Sequence, residues 1–382
     1  MKGYIRQRGE AWALAVYVGT DDQRRRQYAY ETVAGTRRQA ERRLAELVTE
    51  VDQGRRRAPR KTTVAALADD WWETAAPALS PTTRRGYRRL LDKRILPRFG
   101  ATRVSSLTTQ MLDRFYADLG QGRAAGGGPL GPRSVHQIHA VISGMLATAV
   151  RWEWIASSPA DRARVPRIPR RQVHAPEPDV VRALLDEAAQ YRAEFAAYLR
   201  LSVTTGARRG EMCALRWSDV DLDGRETVIA RSIAADDRDS KLVIEKTTKT
   251  HQARRIAIDS GTVESLRDHR RLMLERALAA GASYAANAFV FSDDVAGKRP
   301  WHPDAVTATF RRICKRSGVV GVRLHDLRHY HGTMLADLGV ALPSVQERLG
   351  HRDLQTTGIY AHGRRATDRV AADLIARHLD QR

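Results

Sequence analysis

Apolar positions along this chain recur with two periods, and the changes between them divide it into parts. Trp12 to Val18 alternates as a strand, Gln27 to Thr32 reads as a second, and Leu44, Leu47 and Val51 mark the buried stripe of a helix from about Thr36 to Val51. A basic linker, Arg55 to Lys61, follows. From about 62 to 160 the period is helical throughout. Val64, Leu67 and Trp71 begin it; Tyr87, Leu90, Leu91 and Ile95 follow the start signal Ser80-Pro81. A third helix is expected over Thr109 to Leu119, and a fourth, after the glycine-rich Gly126 to Gly131, carries Val135, Ile138, Val141, Ile142 and Met145. These stripes are core.

Arg162 to Pro176 carries prolines and arginines without periodicity and reads as an extended linker. Beyond it the apolar run Phe195 to Val203 ends at a glycine turn. Glu226 to Ile233, Lys241 to Thr247 and Arg254 to Ile258 are rich in Val, Ile and Thr and read as three short strands, and Pro343 to Gly350 as a short helix. A basic helix over Ala366 to Leu379 places Val370, Leu374 and Leu379 along one side. The expected fold is multidomain and mainly α with small β-sheets. It comprises an N-terminal sheet-plus-helix module over 1–55, a helical domain over 62–160 and a mixed α/β domain over 174–382.

Composition adds a partner. The net charge is +21 over 382 residues, mostly from arginine, which suits bidentate contact with phosphate. A hydrophobic content of 42% is enough for several cores, so the charge does not belong to a simple basic tail. Only Cys213 and Cys314 are present, too few for a disulfide framework, which fits a reducing compartment. With no apolar run of membrane-spanning length and no signal-peptide core, a soluble, cytoplasmic, nucleoid-associated protein without a membrane partner is expected.

The candidate chemistry gathers near the C-terminus. Leu324-His325-Asp326-Leu327-Arg328-His329 is followed by Leu349-Gly350-His351 and then by Tyr360. Two imidazoles, a guanidinium and a phenol are the groups that break a phosphodiester without a metal: Arg forks onto non-bridging oxygens, His moves a proton, Tyr attacks phosphorus. Upstream, Thr205-Gly206-Ala207-Arg208-Arg209-Gly210-Glu211 places another arginine after a glycine turn. Taken singly, a His-x-x-Arg is most often a solvated helix face, and a Leu-Gly-His a helix ending at glycine. His325 and His329 are spaced as a metal pair, but no third ligand stands at zinc-like spacing, so no metal is expected. His329 and His331 read as packing or phosphate-backbone residues.

In this order the motifs resemble those of the tyrosine recombinase (phage integrase) family. The resemblance implies a phosphate pocket of Arg208, His325, Arg328 and His351 and a nucleophile at Tyr360. Glu211 would orient a guanidinium without touching substrate. The family's catalytic lysine sits in a β-hairpin between the first arginine and the His-x-x-Arg segment. Lys249, in Lys-Thr-x-x-x-Arg-Arg-Ile, fits that pattern, with Lys246 as its rival. The resemblance further implies double-stranded DNA attachment sites as substrate and a 3′-phosphotyrosyl intermediate. A phenol ionises near pH 10, and two arginines nearby are expected to ease its ionisation.

Bond energy is kept in the aryl phosphate, so no cofactor is implied. By the same resemblance, residues 1–55 would bind arm-type DNA sites, 62–160 core sites, and 174–382 would carry catalysis, acting as a tetramer through a Holliday junction to integrate or excise a mobile element. An excision factor or a host bending protein would be the accessory partners. Arg84, Arg85, Arg88, Arg89 and Arg133 would follow phosphates, and the C-terminal helix would pack in cis or on a neighbouring subunit. A type IB topoisomerase-like enzyme and a catalytically silent DNA-binding regulator are the competing readings.

Overall fold

The computed structural model describes residues 3–20, 26–52, 62–169, 175–236, 242–247, 253–285, 287–352 and 354–360. The chain divides into two compact units, Met1–Pro169 and Arg170–Arg382.

In the first unit, strands β1 (Gly3–Arg8), β2 (Ala11–Thr20) and β3 (Arg26–Ala34) form an antiparallel sheet in sequence order, backed by helix α1 (Arg37–Asp52). Leu14 and Val16 of β2 meet Ala40 and Leu47 of α1 in a small core. The first strand was not expected, because Tyr4 and Ile5 are the only apolar side chains of Gly3–Arg8 and its pairing with β2 is what makes it a strand.

The helical part runs through α2 (Val64–Ala75), α3 (Pro81–Leu90), α4 (Leu96–Phe99), α5 (Thr109–Gln121) and α6 (Pro132–Arg151). Ser80 caps α3 by accepting from the Thr83 N–H, and Pro81 follows at the first helical position. A wide turn over Leu91–Ile95 separates α3 from α4 and lets Leu91 and Ile95 both point inward. Phe99, Phe115, Leu112, Ile138 and Met145 lie in one core, where each full side-chain burial contributes about 2–3 kcal/mol. On the polar side, Arg85, Arg89 and Arg133 are exposed, whereas Arg88 is engaged by Asp92 and Asp69. The segment after Ala160 is less free than its prolines suggest. Asp113 accepts the Arg164 N–H at 2.7 Å, and the Pro166 carbonyl lies 2.9 Å from His136 Nε2.

The second unit contains α7 (Pro178–Tyr191), α8 (Ala193–Thr205), α9 (Arg209–Ala214), strands β4 (Val220–Asp221), β5 (Glu226–Ile229), β6 (Arg231–Ala235), β7 (Val243–Thr247) and β8 (Arg254–Ala257), then α10 (Ser260–Ala279), α11 (Pro303–Arg316), α12 (Asp326–Asp337), α13 (Leu342–Leu349) and α14 (Leu354–Thr357). The strands make two small antiparallel sheets, β4-β5-β8 and β6-β7. The run from Glu226 to Ile233, expected as one strand, therefore changes partner after Ile229: its first half pairs β8 and its second half β7. Phe195, Tyr198, Phe291, Phe310 and Trp301 anchor the core between the helices and these sheets. Among the described residues no helix is long and apolar enough to cross a membrane.

Candidate active site

Helix α8 stops at Thr205 because Gly206 takes a left-handed conformation (φ 62°). A side chain there would also collide, since a Cβ would stand 2.7 Å from His331 Cδ2 and Leu349 Cδ2. The turn delivers Arg208 to the start of α9, where Glu211, at the third helical position, reaches back to the Arg208 N–H at 2.9 Å. The other oxygen of Glu211 accepts Arg208 Nη1, also at 2.9 Å. Glu211 thus orients the guanidinium, as its place in the sequence suggested. It also accepts Arg254 Nη2 from β8 at 2.6 Å, a partner the sequence did not reveal.

Three backbone carbonyls complete the arginine settings. Arg208 Nη2 donates to Gly350 O at 3.1 Å; Arg328, 3% exposed, donates from Nη1 to Gly206 O at 2.7 Å and from Nη2 to Leu349 O at 2.6 Å. A guanidinium carries five donors, so Arg208 and Arg328 keep N–H groups beyond these bonds. Burial, with Arg208 beside it, pushes Arg328 down to about 9, still protonated at neutral pH. Burial disfavours the Glu211 carboxylate, but Arg254 and Arg208 outweigh it and hold its pKa below the ordinary value.

Arg348, in the last turn of α13, braces the cluster. It donates to Thr204 O and Ala257 O, each at 2.9 Å, and its Nε donates to His331 Nε2 at 3.1 Å. His331 Nδ1 lies 2.9 Å from Val203 O. A carbonyl can only accept, so the proton sits on Nδ1 and Nε2 is the acceptor. His331 is accordingly a neutral structural residue, and burial and Arg348 lower it to about 4.

The remaining groups close around this frame. Gly350, left-handed at φ 65°, ends α13 and turns the chain into His351, whose Nδ1 contacts Thr357 Oγ1 at 2.9 Å. Burial and the charges of Arg328 and Arg208 push His351 down to about 4. His325 opens α12, with its ring edge-on to His329 at 4.9 Å. Its pKa is also lowered, by desolvation and then by His329 and Arg328. Near neutrality these imidazoles are therefore uncharged hydrogen-bonding groups. Tyr360, 8% exposed, packs on Val345 and Leu349 and stacks on His351 at 6.2 Å. Its hydroxyl contacts His329 Nδ1 at 3.0 Å. The two arginines do favour its ionisation, but burial outweighs them and leaves the phenol above its ordinary pKa. The arginines act in the expected direction, and the burial that opposes them was not part of the expectation.

Arg208, His325, Arg328, His351 and Tyr360 thus meet in one unit. A cleft of about 370 Å³ opens beside them, with His325, Arg328, Arg209 and Arg323 in its wall. Lys246 lies on β7 directly across from Ser232. Lys249 and the expected helix Ala366 to Leu379 lie outside the described residues. Sequence reasoning missed Arg254 and Arg348 and gave His329 no contact with the tyrosine. An arginine at a buried position of a short strand was the available signal for Arg254.

Comparison with known proteins agrees with this geometry. A model of the phage integrase family matches residues 177–366, and a model of the phage integrase N-terminal SAM-like domain matches residues 63–120, together more than half of the chain. The chain is 24% identical over 331 residues to the ICEBs1 integrase of Bacillus subtilis, covering 86% of this chain and 87% of that one. It is 26% identical over 336 residues to an integrase of Streptomyces ambofaciens, covering 84% and 81%. The fold matches the Tn1549 transposon integrase in complex with a circular intermediate DNA, with a TM-score of 0.68 at 17% identity over 82% of this chain and 99% of that one. It also matches a lambda integrase in a tetramer bound to a Holliday junction, with a TM-score of 0.57 at 17% identity over 94% of each chain. The chain belongs to the phage integrase family and is a tyrosine-type site-specific DNA recombinase.

Proposed function

We propose that the enzyme integrates or excises a mobile element by cutting and rejoining DNA attachment sites through a 3′-phosphotyrosyl intermediate. Arg208 and Arg328 grip the non-bridging oxygens of the scissile phosphate, and His325 and His351 add neutral hydrogen bonds to the same group. Tyr360 attacks phosphorus and leaves a free 5′-hydroxyl, which a second strand's hydroxyl replaces when the bond is resealed. The observation that carries this reading is that Arg208 and Arg328 are set by one short stretch of backbone, Leu349 to Gly350, which leads directly into His351, around a single buried carboxylate, Glu211. Arg208 and Arg254 ion-pair with it and Arg328 feels its charge, so the site keeps a surplus of positive charge that suits a phosphodiester.

Lys249 gives the leaving oxygen its proton in this scheme, supported by the pattern Lys-Thr-x-x-x-Arg-Arg-Ile, with Lys246 as the alternative. Residues 1–55 bind arm-type sites, 62–160 core sites, and 174–382 carry catalysis. The sheet-plus-helix module and a surplus of seven positive charges in residues 1–61, fifteen Lys and Arg against eight Asp and Glu, support the first assignment. The likeness to a lambda integrase tetramer on a Holliday junction supports four subunits on two duplexes. The bacterial relatives support action on DNA in a prokaryotic cytoplasm; in this scheme an excision factor or a host bending protein sets direction.

A nicked suicide duplex tests the reading. The wild-type protein should accumulate a covalent adduct, and Tyr360→Phe should form none while binding the same DNA with nearly unchanged affinity, since one hydroxyl adds little to a phosphate-dominated interface. Adducts persisting in Tyr360→Phe would move the nucleophile elsewhere. A plasmid with two sites then separates recombination from simple relaxation.

A further inference from the structure

Three histidines stand near Tyr360, and among the described contacts one touches its hydroxyl. His351 stacks on the ring but spends Nδ1 on Thr357, and His325 lies edge-on to His329. His329 Nδ1 is 3.0 Å from the phenolic oxygen. That placement is over-determined. Gly332, three residues further along α12, has no side chain, and a Cβ there would lie 2.6 Å from Tyr360 Cζ, so the ring can lie against the helix only because the position is glycine. His351 covers the ring from another element, and Val345 and Leu349 seat it from α13. The hydroxyl is thereby held at His329.

Resting on the assignment of Tyr360 as nucleophile, we propose that His329 is a further catalytic residue: its Nδ1 takes the phenolic proton of Tyr360 as the phenolic oxygen bonds to phosphorus. The O–H bond breaks, the O–P bond forms, and the bond from phosphorus to the 5′-oxygen breaks, with that oxygen protonated by a separate donor. On resealing, the 5′-hydroxyl bonds to phosphorus and gives its proton back to that donor, the phosphotyrosyl O–P bond breaks, and the imidazolium returns its proton to the tyrosine oxygen. The role needs a neutral imidazole with its own proton on Nε2. Desolvation lowers His329, Asp326 opposes that and Arg328 adds to it, so the ring is uncharged near neutrality. The other charged and titratable groups around it are His325 on its own helix and His351 and Tyr360 across from it. The need for a base is equally plain, because burial keeps the phenol protonated.

Single-turnover adduct formation on the nicked duplex tests this with His329→Ala, His329→Gln and Tyr360→Phe, alongside binding to the same DNA and thermal unfolding. His329→Ala should bind normally and form adduct about 100-fold more slowly, with partial rescue by added imidazole. Its rate should climb with pH toward tyrosine ionisation, whereas the wild-type rate is level above the His329 pKa and falls on acidification through it. His329→Gln can hold the hydroxyl but cannot take its proton, so it should be equally slow even if His329→Ala unfolds. Either variant within about threefold of wild type, or a loss that neither imidazole nor alkaline pH relieves, overturns the proposal. Adducts in Tyr360→Phe would instead overturn the assignment of the nucleophile.

Discussion

Two clusters of arginine and glutamate, one in each unit, solve opposite problems. On α1, the Arg43 guanidinium is shared by Glu31, Glu46 and Glu50, at 2.7, 3.1 and 3.0 Å, and these bonds hold its pKa above the ordinary arginine value. In the second unit the ratio is inverted: Glu211 is a single buried anion paired to Arg208 and Arg254, with Arg328 and Arg348 close by. The first cluster neutralises its cation at the surface and ties the helix to β3. The second withholds neutralisation where water cannot supply it, so its cations remain available to an incoming anion. The count of partners around a charge, more than the charge itself, separates a brace from a binding site.

Removing one member from each cluster should expose the asymmetry. Arg328→Ala is expected to have the largest effect, slowing adduct formation by about 10³-fold, because a donor aimed at developing charge is lost. It should also lower stability by ~2–4 kcal/mol, since two buried carbonyls lose their partner, which urea unfolding would read. If cleavage falls by less than tenfold, the surplus of charge is not what the site uses. Glu211→Gln keeps the shape but sets Arg208 and Arg254 face to face without their anion. A loss of roughly 3 kcal/mol in stability is expected, with Arg208 misaimed and cleavage reduced accordingly. An unchanged unfolding midpoint would mean that the arginines are held by backbone carbonyls alone.

Acidification should sharpen the comparison further. His331 is buried under Arg348 and titrates near 4 in the fold against an ordinary 6.5. Because its folded pKa is depressed, the neutral ring contributes stability that is fully present above 6.5 and is lost as pH falls toward 4. His331 should accordingly cost the second unit ~2 kcal/mol between pH 7 and pH 4.5, beside losses of the same sign at His325 and His351, measured by urea unfolding followed through the tryptophans. A midpoint that stays level over that range would exclude His331 as the cause. Arg43→Ala should have the smallest effect, at most ~1 kcal/mol and none on cleavage, because part-exposed ion pairs are screened by water. A loss as large as that of Glu211→Gln would erase the distinction between the clusters.

What the sequence disclosed follows the same division between local and distant causes. The helix stop at Gly350, the Ser80-Pro81 start and the orienting role of Glu211 are set within a few residues, and each is found where the pattern placed it. Arg254 and Arg348 were not legible, since their partners stand 17 to 144 residues away and periodicity carries no information about what lies opposite. The phenol's raised pKa was missed for the same reason: the motif shows the arginines but not the burial. β1 is a strand only by virtue of its neighbour.

The arginines of the site are seated on oxygens that belong to the main chain, at Gly206, Leu349 and Gly350. Every residue supplies such an oxygen, so codon changes at Leu349 leave the acceptor in place, and the requirement falls on the path of the backbone. That path closes late. Arg328 must reach back 122 residues to Gly206, and Arg208 forward 142 residues to Gly350. A chain that ends before Gly350 therefore lacks the acceptor that seats Arg208, and the arginines take their settings only once segments this far apart in sequence have folded together.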